Sequence, residues 1–430
     1  MKNILLVNPW IYDFAAYDLW MKPWGLLKIS AILKKNGFKV YLVDALDRQH
    51  PLINKNIQVS SNKTGKFCSE EVIKPLPIRN IPRKYKRYGL SCDNFIKALP
   101  EKPIDMILVS SGMTYWYPGV FEAIKLLKTK YGAPIVLGGI YASLMYKHAE
   151  CNSGADYVIK NKELYKLADI IGKKCDFSFQ NILNENIDYS WYPNAVYGVL
   201  RISLGCQFNC AYCAQKLLGP DFLLKSQEQA LKEIEFLYKR NIRTFAFYDD
   251  ALLADEDYIT SYFEEIIGKG IKADFYTPNG LHARHISEKV ATLMRKMTFI
   301  NPILSLETSV DEKGKVWHDK VTKEELKRAV FFLKQAGYKD GEYTVYLLLG
   351  APGSSLENVK ESIDFVHFLG GKVSLSEFSP IPGARLAEKF TEALEEPLLQ
   401  NNSVFPDFNQ SEWKDVRLVK TYARKLNSNW

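Results

Sequence analysis

"RISLGCQFNCAYCAQK", residues 201–216, sets Cys206, Cys210 and Cys213 within eight positions of a chain that holds only seven cysteines in 430 residues. Gaps of three and two residues let one loop wrap three thiolates around a compact metal centre. No fourth cysteine or histidine follows nearby, and the next histidine is His282. A structural zinc site closes its shell with four protein ligands. A four-iron four-sulfur cluster held by three thiolates instead keeps one iron open to a small molecule. Zinc, or a chance grouping of core cysteines, is the rival reading. Cys68, Cys92, Cys151 and Cys175 are scattered singly, which argues against a secreted disulfide framework and fits thiols kept reduced.

The loop follows a strand expected over Val199–Leu204 and opens an alternating series. Helices are expected at 226–239, 257–267, 287–296, 322–336 and 355–369, and strands at 243–248, 273–277, 303–307, 343–349 and 373–378. Ser226 with Gln229, Thr322 with Glu325 and Ser354 with Glu357 read as capping boxes. About six repeats predict a partial (β/α)6 barrel over 196–388, with its active site at the carboxyl ends of the strands. A short C-terminal extension, 389–430, includes the amphipathic pattern 413–426.

Upstream, compact apolar runs at Ile4–Asn8, Phe38–Asp44, Met106–Ser110, Ile135–Gly139 and Tyr157–Lys160 alternate with helical patterns at 25–37 and 117–132. This predicts an α/β, doubly wound, Rossmann-like domain over 1–165, whose ligand lies in the crevice at the strand ends. A basic insertion, 48–104, interrupts it and reads as a long surface excursion, and 166–195 reads as a linker. Five cations between Arg79 and Arg87, interleaved with Tyr85 and Tyr88, suit phosphate or nucleic acid, with a solvated basic face the simpler reading.

Composition bounds the answer. At 47% hydrophobic and 13% aromatic residues the chain reads as globular rather than disordered. Its formal charge of +8 selects no partner by itself. No stretch approaches the roughly 18 apolar residues of a membrane span, so a soluble cytoplasmic protein without a membrane partner is expected.

C-x3-C-x2-C with an aromatic, Tyr212, before the last cysteine resembles the signature of radical S-adenosylmethionine (SAM) enzymes over residues 196 to about 385. The resemblance implies a [4Fe-4S] cluster on Cys206, Cys210 and Cys213, with SAM on the open iron. In "FAFYDDALLAD", 245–255, Asp249 and Asp250 match the motif that receives the SAM ammonium. Such a pairing makes a charge-assisted hydrogen bond; a helix cap or turn is the plainer role. Glu307 and Thr308 match a pair near the SAM ribose or sulfonium, and Gly350 and Gly353 a segment that cradles adenine. Reductive cleavage of SAM to an adenosyl radical, fed by an electron donor such as flavodoxin or ferredoxin, is the implied chemistry.

The front domain resembles the cobalamin-binding domain fused to many such enzymes, through Pro23, Gly25, Leu26, Gly138 and Gly139. The D-x-H-x-x-G motif that brings a histidine to cobalt is absent, so the resemblance implies base-off cobalamin. Thr114, Tyr115, Trp116 and Tyr117 are expected at the crevice mouth, against the corrin; core packing is the simpler role for each ring. Together these features imply a cobalamin-dependent methyltransferase acting on an unactivated carbon of a peptide, protein or small anionic substrate. The alternatives are a radical rearrangement, cyclisation, dehydrogenation or epimerisation without methyl transfer, and, outside catalysis, an iron-sulfur sensor.

Overall fold

The structure is a computed structural model and describes residues 2–53, 60–310, 317, 321–404 and 413–430. The chain divides into two compact units. The front unit takes Met1–Val196, Leu217–Pro220 and Thr391–Val404; the rear unit takes Tyr197–Lys216, Asp221–Phe390 and Phe405–Trp430. The stretch read as a linker therefore lies within the front unit, and the C-terminal extension divides between the two.

In the front unit, β1 (Asn3–Asn8), β2 (Lys39–Asp44), β3 (Met106–Val109), β4 (Ile135–Leu137) and β5 (Tyr157–Val158) form one parallel sheet in the order 5-4-3-1-2. Their near-continuous apolar runs are those of strands covered on both faces. Helix α1 (Trp24–Lys35) buries Leu26, Leu27, Ile32 and Leu33, and α2 (Tyr117–Lys130) buries Val120, Ile124 and Leu127. Strand order reverses between β1 and β3, so the ligand crevice of this topology lies at the carboxyl ends of those two strands.

The basic insertion is more ordered than a surface excursion. Strand Lys86–Tyr88 pairs antiparallel with both Ile11–Asp13 and Ser69–Glu71, and Phe95, Leu90 and Leu99 enter the main core. Its cations also find internal partners. Arg87 contacts Glu70 and Glu122, Lys84 contacts Glu71, and Arg83 donates to Ser403 Oγ at 2.5 Å. Segment 166–195 carries helices Leu167–Ile171 and Phe179–Asn184, and Tyr192 Oη donates to Asp44 Oδ2 at 2.6 Å. Its polar side chains fasten it to the sheet.

The rear unit contains β6 (Gly198–Leu200), β7 (Thr244–Phe247) and β8 (Asp274–Tyr276) in one parallel sheet. A second holds β9 (Ile303–Glu307), β10 (Thr344–Leu349) and β11 (Lys372–Glu377), with the two-residue strand Leu281–His282 on its edge. A bridge between Phe275 and Phe299 spans β8 and the residues before β9. Helices α3 (Gln227–Lys239), α4 (Glu256–Gly268), α5 (Glu288–Lys296), α6 (Lys323–Gln335) and α7 (Leu356–Phe368) alternate with the strands. This is the expected six-strand partial barrel.

Two local readings shift. The strand expected over 199–204 breaks after Leu200, and Ser203–Gly205 turns to pair antiparallel with Phe222–Leu224. Asp249 Oδ1 takes the N–H groups of Ile202 and Ser203, donors that a continuing strand would offer a neighbour. The cap of α7 moves by one residue: Ser354 N–H closes a turn to Ala351 O, leaving Ser355 to pair with Asn358. The Thr322–Glu325 capping box forms, and Ser226 Oγ accepts from Gln229 N.

Candidate functional site

Cys206, Cys210 and Cys213 lie, unbridged by disulfides, on the loop that leaves Gly205. The loop is pinned at its centre, where Ala211 N donates to Trp317 O at 3.2 Å and Ala211 O accepts from Leu386 N at 2.9 Å. Tyr212 packs against the cluster of Trp317, Leu348, Ala351 and Phe378. Burial, with Glu307 and Cys210 adding negative charge, holds its phenol neutral. On the other side Phe208, between the first two cysteines, stacks on His282 with ring centroids 4.2 Å apart and lies 5.6 Å from His285.

The donor set fits a cluster. Cys206 and Cys210 both act electrostatically on Cys213, so the three sulfurs face one region of the loop. A cubane cluster takes one thiolate per iron, so its ligands stand around the cluster rather than meeting on one ion. Burial, followed by the neighbouring sulfurs, pushes the Cys213 thiol up to about 11, even though Gln215 N donates to its sulfur at 3.4 Å.

The two aspartates after β7 play different parts. Asp249 is 2% exposed. Its Oδ1 accepts from Ile202 N at 2.9 Å, Ser203 N at 2.6 Å and Ser203 Oγ at 2.7 Å, while its buried Oδ2 has no hydrogen-bond partner among the described residues. Burial outweighs the three donors and pushes its carboxyl up to about 6. Asp250 pairs with Arg201 and accepts from Gln215 Nε2 at 2.8 Å. Burial raises its pKa and the Arg201 guanidinium opposes the rise. Of the pair, Asp250 is therefore tied to the cysteine loop, and Asp249 to the backbone that launches it.

At the end of β9, Glu307 has φ +70° within a register shift of the β9–β10 ladder. An L-residue pays for this left-handed conformation, so its presence at a strand end marks a constrained site. Its carboxylate acts electrostatically on Tyr212 and Tyr346, which brings it toward the loop. Thr308 is buried, with Oγ1 accepting from Val310 N. Gly350 and Gly353 have φ +80° and +73°, and Ala351 between them joins the Trp317 cluster. Arg201, Gln215, Phe208 and Trp317 were not singled out from sequence, and His282 entered only as the next histidine after the loop. Gln215 had one local signal, its position two residues after Cys213; Trp317 had none.

In the front unit, Ser110 Oγ donates to Asn8 Oδ1 across the ends of β3 and β1 at 3.1 Å. Gly25 leaves open space around its Cα, and Gly138 meets only Ile159 O at 3.9 Å from an added Cβ. Gly139 differs: with φ +99°, its Cβ would sit 2.3 Å from Ser111 O. Leu26, Thr114 and Tyr115 are buried. Trp116 Nε1 donates to Asp13 at 2.8 Å. Tyr117 packs with Phe121, Tyr141 and His148 and bonds Glu396. The two histidines here, His50 and His148, are engaged, His50 by Leu52 N and His148 by Tyr141 Oη. Open backbone at Gly25 and Gly138 leaves room for a flat macrocycle.

Residues 200–366 match the family described as the radical SAM superfamily. Curated relatives include an uncharacterized protein of Methanocaldococcus jannaschii, 24% identical over 54% of this chain and 45% of its own length. Another is the anaerobic magnesium-protoporphyrin IX monomethyl ester cyclase of Rubrivivax gelatinosus, 28% identical over 35% of this chain and 27% of its own. The chain thus matches less than half the length of these relatives. Among solved structures, the radical SAM methyltransferase TsrM of Kitasatospora setae superimposes with a TM-score of 0.67 at 15% identity, covering 91% of this chain and 78% of that one in its cobalamin- and cluster-bound form. The cobalamin-dependent enzyme OxsB does so at 0.59 and 14%, covering 94% and 56%. The chain shares the fold of both. Sequence match, cysteine loop and six-strand partial barrel agree that residues 200–366 are a radical SAM domain.

Proposed function

We propose that this chain is a cobalamin-dependent radical SAM methyltransferase that acts on an unactivated carbon. One observation carries the reading: the three-cysteine loop and a front sheet of order 5-4-3-1-2 occur in one chain, a combination shared with folds solved as cobalamin-bound radical SAM enzymes. Reduced cluster and SAM supply hydrogen-atom abstraction when bound, and cobalamin supplies a transferable methyl group.

The chain's own residues bind, orient and exclude water. Cys206, Cys210 and Cys213 hold the cluster and leave one iron for SAM. Asp250 receives the ammonium, Glu307 and Thr308 face the ribose side, and the backbone of 350–353 takes the adenine. The Trp317 cluster and the Phe208–His282 stack shield the loop from water on two sides. In the front unit, Gly25 and Gly138 would admit the corrin, base-off because the D-x-H-x-x-G motif is absent from this sequence. A reductant of the flavodoxin or ferredoxin class supplies the electron. We propose a peptide or protein side chain as substrate, and the pairing of Arg83 with Ser403 and of Arg87 with Glu70 and Glu122 weakens the case for an anionic one.

A second reading keeps the radical chemistry without methyl transfer. It is favoured by the cyclase named among the relatives. Anaerobic reconstitution with methyl-labelled SAM separates the two. Label in product together with deoxyadenosine and cobalamin absorbance supports methyl transfer; deoxyadenosine with unlabelled product supports the second reading; intact SAM after cluster reduction ends both.

A further inference from the structure

Gln215 makes two bonds at the end of the loop. Its backbone N–H points at Cys213 Sγ, 3.4 Å away, and its side-chain Nε2 donates to Asp250 Oδ2 at 2.8 Å. It is the first residue of the short helix Gln215–Leu218, so its N–H has no partner within that helix and is available to the sulfur. Arg201 Nη2 bonds the same Asp250 Oδ2, and its Nε also donates to Ser203 O at 3.2 Å. The carboxylate is thereby oriented by two donors from opposite ends of the cysteine loop. One of them also touches a cluster ligand.

We infer that Gln215 is a positioning residue that couples occupancy of Asp250 to the electronic state of the cluster through Cys213. The inference rests on the radical SAM reading above, with Asp250 as the ammonium acceptor. Hydrogen bonds to cluster sulfurs raise the reduction potential by stabilising the more negative, reduced state. A ligand drawing Asp250 toward itself pulls on Gln215 and changes the N–H···S contact. Linkage then requires that reduction of the cluster change SAM affinity by the same factor. Sequence distance does not obstruct the coupling, because one residue makes both contacts.

The experiment uses the cluster-loaded full chain, and compares the parent with Gln215→Ala, Gln215→Pro and Asp250→Asn. Alanine removes the side-chain bond and keeps the N–H. Proline at the first helical position is tolerated there and removes both. Readouts are iron content, SAM affinity by equilibrium dialysis, and the cluster potential by electron paramagnetic resonance titration with and without SAM. Gln215→Ala is expected to weaken SAM binding about fivefold, as the loss of one ordinary hydrogen bond does. It should leave the SAM-free potential unchanged and diminish the shift that SAM produces. Gln215→Pro is expected to lower the SAM-free potential by about 59 mV, a tenfold change in the one-electron equilibrium. Parental SAM affinity in Gln215→Ala, with weakened binding in Asp250→Asn, overturns the coupling while leaving Asp250 as acceptor. Parental affinity in both overturns the Asp250 assignment and the coupling with it. Should the proline variant lose its iron, the alanine variant alone decides, since an unchanged SAM-induced shift in it overturns the proposal.

Discussion

Asp44, the last residue of β2 in the front unit, and Asp249, just beyond β7 in the rear unit, are both buried carboxylates at parallel-strand ends, and burial raises the pKa of both. Their surroundings differ. Asp44 Oδ1 accepts from Asn8 Nδ2 at 2.7 Å and Leu46 N at 2.9 Å, Oδ2 accepts from Tyr192 Oη, and the Lys22 ammonium acts on the charge. Asp249 loads three donors on one oxygen, with no partner for the other among the described residues. A group satisfied on both oxygens locks a sheet edge; one satisfied on a single oxygen carries a standing desolvation cost. The rear strand ends add a left-handed Glu307 and three thiols drawn into one loop. Imperfect satisfaction concentrated in one place marks chemistry, and here it marks the cysteine loop.

The largest test of that asymmetry removes a ligand. Cys210→Ala is expected to lose cluster iron and cut SAM cleavage at least about a thousandfold, because the radical chemistry belongs to the cluster. Cys175→Ala, a buried thiol of the front unit, should leave both unchanged. Iron analysis and deoxyadenosine quantification check the pair. Equal losses in the two variants would remove the distinction between the units.

Next in size is a contrast within the front crevice. Gly139→Ala forces a Cβ against Ser111 O at a φ of +99° and is expected to cost about 3 to 4 kcal/mol, combining left-handed strain with overpacking. Gly138→Ala meets nothing closer than 3.9 Å and should keep parental stability. If the corrin approaches the backbone there, Gly138→Ala binds cobalamin about tenfold more weakly. Thermal unfolding and a cobalamin absorbance titration read the two effects separately, and parental cobalamin affinity in Gly138→Ala would move the corrin away from that glycine.

Asp249 gives a pH-dependent version of the comparison. Its carboxyl is raised from 3.8 to about 6, so the folded state holds the proton more tightly than the unfolded chain. Stability is therefore fullest at low pH and declines as pH rises from about 4 to about 6, by about 3 kcal/mol for two pK units. Asp249→Asn keeps an oxygen for the Ile202 and Ser203 donors and removes the titration. The difference in urea-unfolding free energy, parent minus variant, should fall through that window and level off above it. A difference independent of pH would mean that Asp249 is not the strained carboxyl described here.

Much of this was legible because the chemistry sits in short spacings. The cysteine loop is written in eight consecutive residues, and the strand runs and the Thr322–Glu325 cap are local patterns. The Asp249–Asp250 pair was also visible, but its division of labour was not. That depends on which backbone N–H groups, 46 and 47 positions upstream, arrive at which oxygen. Trp317 O reaches Ala211 N across more than a hundred residues of sequence, and no periodicity encodes such a meeting. The basic insertion misled because cations read alike whether they face water or the carboxylates of Glu70, Glu71 and Glu122. Residues 391–404 misled similarly: Asn401 bonding Asp13 and Gln400 Nε2 donating to Met145 Sδ return the segment to the front unit through polar contacts that hydropathy patterns do not register.

The smallest effect tests whether Glu307 owes its place to charge or to backbone. Glu307→Gln and Glu307→Asn both discard the carboxylate, but asparagine tolerates the left-handed region better than glutamine. If the strain at φ +70° is maintained for the sake of the carboxylate, the two variants lose SAM cleavage alike. Asparagine should then unfold about 1 to 2 °C above glutamine, for a difference of about 0.5 kcal/mol. Differential scanning calorimetry resolves that interval. Parental cleavage in the asparagine variant would show that the conformation alone is what the strand end preserves, because a residue kept for its charge cannot be replaced by one kept for its φ.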